Sequence, residues 1–201
     1  MNIKPYEKSI FIVALSMILL VFVSFAQNSE IGRIPKKISF EPFVFPLDIS
    51  KQELINREHA WDPNSPNPCA LNHGFFCAVD LFADTGTPVL SPVNGTVGFT
   101  NNKKSKYGAQ IEIIDSNGYL FYLGHLLPGT LEYETGDYIK AGAVIGQVGR
   151  DKDANNTPSH LHIDALEPGY TERPICAGLD CAQYPWIDLQ YLLAKEFAEL
   201  K

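Results

Sequence analysis

The sequence predicts an all-β fold: a mostly antiparallel sheet core with a C-terminal helix and an irregular N-terminal segment. Three observations carry this. Short β runs separated by turn residues fill Ala78 to Glu167, and an Asn-Gly step joins two alternating runs. Helical periodicity with a full apolar face is confined to the C-terminal end.

Taken in order, residues 1–26 are a targeting segment. Lys4 and Lys8 precede an uncharged run from Ser9 to Ala26, and Ser24-Phe25-Ala26 has the small-x-small form of a cleavage site. This predicts a secretory signal peptide cut after Ala26, and hence an exported, periplasmic or secreted protein; a monomer is expected. A retained anchor is the competitor, because the run is almost long enough to span a bilayer. Membrane association is expected only in that case.

Residues 27–68 form an N-terminal extended segment, rich in proline and wrapped on a core. Within it Ser50 to Glu58 predicts one short helix, with Ser50 as N-cap and Glu53 completing a capping box. Residues 69–170 hold the strand-rich domain. Gln110 to Asp115 and Tyr119 to Leu123 alternate on either side of Asn117-Gly118, which predicts a hairpin. Gly136-Asp137 and Ala141-Gly142 punctuate the approach to the run Val144 to Val148. Residues 171–201 hold a cysteine loop and then a helix, with Leu189, Leu193, Phe197 and Leu200 on one face after Pro185.

At 201 residues and 45% apolar content the chain can bury a real core, and the net charge of −7, with no Lys/Arg block, argues against nucleic acid as a partner. Cys69, Cys77, Cys176 and Cys181 are an even set beyond the signal, which favours disulfides in an exported protein. Three pairings are open, and the local one, Cys69–Cys77 with Cys176–Cys181, closes the shortest loops. A zinc site made of these cysteines is disfavoured, since neither pair has CxxC spacing.

The five histidines are the informative residues. His160 and His162 lie two apart in a β-like run, so both imidazoles project from one face. A packed core has no use for adjacent imidazoles. With a carboxylate in reach, zinc is the ligand their chemistry favours.

The ordered set DLFADTGTPVLSPVNGTV, FYLGHLLPG, TGDYIKAGAVIGQVG and SHLHI resembles the lysostaphin/LytM-type zinc metallopeptidases, which cut peptide bonds in bacterial peptidoglycan. The likeness runs over about residues 70–170, roughly half the chain. It implies one Zn2+ per chain held by His73, Asp80 and His162, and peptidoglycan crosslinks as the substrate. It implies His125 and His160 as the catalytic pair, with His160 taking a proton and His125 contacting the oxyanion or substrate, although which of them is the general base stays open.

His73 departs from the pattern. The family's first histidine usually lies four residues before the aspartate, where this chain has Phe76. His73 lies seven before Asp80, a step that puts the two on opposite faces of a continuous strand. It reaches the metal only if residues 74–77 loop or bulge, and a Cys69–Cys77 bridge would close such a loop around His73. His59 is the substitute. The alternative function is a catalytically inactive wall-binding relative or regulator of another hydrolase. A lipoyl-type carrier modified at Lys140 leaves the histidines unexplained and is set aside.

Overall fold

The structure is a computed structural model that describes residues 38–57, 60–64, 77–175, 181 and 183–201. These belong to one compact unit, Pro35–Lys201. The targeting segment, His59, His73, Cys69 and Cys176 lie outside the described residues. Among the described residues no helix is long and apolar enough to cross a membrane.

The fold is the antiparallel one expected. Strands β1 (Val79–Phe82), β3 (Gly95–Asn101), β4 (Ala109–Asp115), β5 (Leu120–Leu126), β6 (Tyr138–Ile139) and β8 (His160–Leu166) form one sheet in the order β1-β8-β5-β4-β3-β6. Strands β2 (Pro88–Leu90) and β7 (Val144–Gln147) pair as a second, small sheet. The β4–β5 hairpin turns at Asn117-Gly118. There the Asp115 carboxylate accepts the backbone N–H groups of Asn117 and Tyr119, and Gly118 supplies φ +85°.

One face of the large sheet is the core, built from Val97, Ile111, Ile113, Phe121, Leu123, Leu161 and Ile163. Helix α1 (Lys51–Ile55) is shorter than predicted but carries the predicted reciprocal Ser50–Glu53 capping box. Helix α2 (Gln190–Glu199) buries Leu192, Leu193 and Phe197. The stretch before α1 is extended chain laid on the core, where Phe40, Phe43, Phe45 and Leu47 are buried.

Candidate active site

The other face of the large sheet carries polar chemistry, and strand register explains why. On β8 the residues Leu161, Ile163 and Ala165 point into the core, so His160, His162 and Asp164 share the opposite face. Antiparallel pairing sets Asp80 opposite His162 and Phe82 opposite His160 on β1. On the other flank β5 sets Gly124 opposite His162 and Tyr122 opposite Asp164. Gly124 lets the Tyr122 side chain lie close over the strand: a Cβ there would come within 2.8 Å of the Tyr122 hydroxyl.

His125 joins this face by a break in alternation. Regular pleating would place it opposite Tyr122 and Gly124. Instead its φ is +62°, its N–H bonds the Tyr107 carbonyl, and the β4–β5 register shifts between Ala109 and Ile111. Such a bulge re-aims a side chain. The His125 ring lies 4.7 Å from that of His160 and 5.7 Å from that of His162.

Asp80, His125, His160 and His162 are therefore together, along a groove of about 610 Å³ also lined by Tyr107 and Tyr122. His162 Nδ1 lies 2.9 Å from Asp80 Oδ1, and its Nε2 lies 3.2 Å from Asp164 Oδ2. His160 Nε2 is 3.6 Å from the same Asp80 oxygen, and its Nδ1 is 2.7 Å from the Pro158 carbonyl. His125 Nδ1 meets two carbonyls, those of Tyr107 at 3.2 Å and Asp153 at 3.1 Å. A ring nitrogen facing a carbonyl must donate, so His125 and His160 both carry the proton on Nδ1 and turn Nε2 to the site.

Two residues here were not singled out in the sequence. Asp164 is fully buried, and Nε and Nη2 of Arg173 each donate to its Oδ2 at 2.7 Å. The guanidinium lies over the rings of Tyr122, at 4.4 Å, and Trp186, at 5.6 Å. The signal for Asp164 was present: the alternation that pairs His160 with His162 extends to it. Arg173 had no such signal, since it comes from the loop after β8.

Electrostatics follow from these contacts. Burial works against the charge on His162, but the carboxylates of Asp164 and Asp80 outweigh it and push the imidazole up to about 9. Burial also opposes the charge on Asp164, where Arg173 and His162 outweigh it and hold the carboxyl below its ordinary range. Burial, reinforced by the two neighbouring imidazoles, pushes His125 down to about 4.

Among the described residues no group of three or more His, Cys, Asp or Glu is arranged to hold a metal ion. Two of the expected ligands, Asp80 and His162, are in contact, and the third, His73, is outside the described residues. The donor chemistry present fits zinc. An imidazole nitrogen and a carboxylate oxygen adjoin, while a second carboxylate holds the other ring nitrogen, as metal-binding imidazoles ordinarily have it. Just upstream, Cys77 is disulfide-bonded and left-handed at φ +47°, so strand geometry begins only after it. Cys181 is disulfide-bonded as well.

Residues 75–174 match the family described as Peptidase family M23. Lysostaphin from Staphylococcus simulans is 31% identical over 102 residues, 50% of this chain and 20% of that protein. Endolysin 2638A from Staphylococcus phage 2638A is 29% identical over 136 residues, 63% of this chain and 27% of that one. The chain thus spans about a fifth to a quarter of the length of these relatives. Among solved structures, the antimicrobial peptidase lysostaphin from Staphylococcus simulans aligns with a TM-score of 0.50 at 24% identity. That alignment covers 77% of this chain and 56% of that one, a likeness of fold.

Proposed function

We propose that this chain, whose residues 75–174 form a domain of peptidase family M23, is an exported zinc endopeptidase that hydrolyses peptide crosslinks of bacterial peptidoglycan. The observation that carries the reading is the convergence of His125, His160, His162 and Asp80 on one face of the sheet. Asp80 and His162 would hold the metal, with His73 as the third ligand. Zinc, when bound, supplies a Lewis acid that polarises the scissile carbonyl and acidifies water.

The chain's own residues do the rest. Asp164 fixes the His162 ring through Nε2, leaving Nδ1 directed at Asp80. The Pro158 carbonyl holds His160 so that Nε2 faces the site and can accept the water's proton. His125 is anchored in the same way, so its neutral ring presents an acceptor, not a donor, at Nε2. That favours a second proton-accepting or substrate N–H contact for His125 over direct oxyanion donation. Phe82, whose ring lies 5.1 Å from that of His160, closes one side of the pair. Export rests on the residues 1–26 alone.

The test has two parts. The purified protein should hold about one zinc per chain by elemental analysis, and His162→Ala or Asp80→Ala should each lose it. The loaded protein should release soluble muropeptides from purified sacculi. His160→Ala and His125→Ala should keep the metal and lose about a hundredfold or more in rate. Full zinc in both ligand variants would overturn the site. A zinc-loaded wild type inert on sacculi of several crosslink types would favour the wall-binding regulator.

A further inference from the structure

Across the sheet from Asp164, Tyr122 pairs with Glu112 on β4. The three residues form a row on the groove face, one step along the strands from the row that holds His162 and Asp80. Glu112 lines the groove yet is only 4% exposed. On β4 alternation turns Ile111 and Ile113 into the core and Glu112 to the groove face, where it is buried all the same.

Its bonding is incomplete. The Arg173 backbone N–H reaches the carboxylate, but Oε2 has no hydrogen-bond partner. The Arg173 guanidinium is bonded to Asp164, and its charge also acts on Glu112. Glu172 adds a further carboxylate to the same wall of the groove. A buried carboxylate with an orphan oxygen is costly in the free protein, and a cation that enters the site removes that cost.

We propose that Glu112 is a specificity-determining residue, a subsite carboxylate that accepts a primary ammonium group of the peptide bound in the groove. This rests on the peptidase reading for the nature of the peptide, but not for the subsite. Two strand spacings and one two-residue step separate Glu112 from His162, about 12 Å in all, or three to four residues of extended chain. The ammonium therefore belongs to a group a few bonds beyond the residues at the reacting centre, such as a free α-amine or the unlinked side chain of a diamino acid. A neutral substrate would leave Glu112 Oε2 buried without a hydrogen-bond partner, which is how one charged residue discriminates between peptides.

The experiment compares one crosslinked muropeptide carrying a free amine with the same peptide N-acetylated by acetic anhydride. The full-length chain and Glu112→Gln are used, and kcat/KM is measured on both peptides. Affinity is read by calorimetry in a His160→Ala background, with and without Glu112→Gln, so that binding is scored apart from turnover. The amine form should be preferred at least about tenfold by the chain with Glu112, in line with a charge-assisted hydrogen bond. Glu112→Gln should bring the ratio to near one by weakening the amine form alone. It keeps the shape of the side chain and removes a buried charge, so its thermal midpoint should equal or exceed that of the wild type. Equal binding of the two peptides by the chain with Glu112 overturns the proposal, as does a preference that survives in Glu112→Gln. Selective binding without hydrolysis of either peptide would retain the subsite and remove the peptidase reading.

Discussion

Asp164 is fully buried, and it holds His162 in place. It accepts from Nε2, and Arg173 in turn holds Asp164. A ligand imidazole whose outer nitrogen loses such a partner rotates more freely and binds metal more weakly, commonly by about ten- to a hundredfold. Asp164→Asn should show that loss in a competition titration with a chromophoric chelator, with the far-UV spectrum unchanged. Unaltered zinc affinity would leave Asp164 a plain structural group. Glu112 offers a separate prediction. Burial, with the charges of Asp164 and Glu172, raises its carboxyl from 4.5 to about 7, against the lowering pull of the Arg173 backbone N–H and guanidinium. Between those values the folded protein keeps a proton that the unfolded chain has released. The group's contribution to stability is therefore complete below pH 4.5 and declines as pH rises to about 7. The stability of Glu112→Gln relative to wild type should rise across that window and level off above it. Urea unfolding on either side of the window measures this, and a pH-independent difference would contradict it.

At the scale of elements, the bulged end of β5 decides where His125 points. Its carbonyl accepts the Gly149 N–H, and Leu126 bridges to Val148, so the strand end is tied to the segment after β7 (Val144–Gln147). Gly149 is there because the chains approach closely: a Cβ would lie 2.5 Å from the His125 carbonyl oxygen and 2.9 Å from Asp153 Cβ. Neither neighbour is the free end of a flexible chain. Gly149→Ala should push the His125 backbone aside, and displacements near 1 Å at a catalytic group can cost about a hundredfold in rate. The expected result is a lower kcat on sacculi-derived peptides with zinc content intact. A variant with wild-type kcat would show that the tie between Gly149 and β5 does not set the position of His125.

At the scale of the whole molecule, the extended segment before α1 is structural. Val44 N–H bonds the Pro92 carbonyl, Leu90 N–H bonds the Pro46 carbonyl, and Leu47 bridges to Val89, so the segment lies along the small sheet. Phe45 packs on Trp61 and Phe197, with ring centroids 6.1 Å and 6.4 Å away, which joins it to helix α2. The β-domain, the extended segment and the C-terminal helix therefore share one core. Phe45 is 3% exposed, and truncating a buried phenylalanine usually costs about 3–5 kcal/mol. Phe45→Ala should lower the unfolding free energy from denaturant titration by that amount without changing the proposed zinc binding. A loss below about 1 kcal/mol would show that the site collapses to fill the void, a cost at the low end even for a smaller core truncation.

What the sequence determined by itself was local. Alternation, Asn-Gly and the Ser50–Glu53 pair are each read within a few residues, because pleat, turn and cap are set by neighbours in the chain. The same alternation placed His160 beside His162 and would have reached Asp164 had it been carried one step further. The pairing of Asp80 with His162 needed strands 82 residues apart to come into register, and only an ordered set of motifs, not spacing, pointed to it. Tertiary structure alone decided the rest. His125 faces the groove through a left-handed residue that alternation forbids, Arg173 arrives from a loop, and Glu112, like Asp164 beside it, keeps a buried carboxylate oxygen without a hydrogen-bond partner. Burial and long-range pairing belong to the folded chain and not to any window of it, which is why the face was legible and its finer chemistry was not.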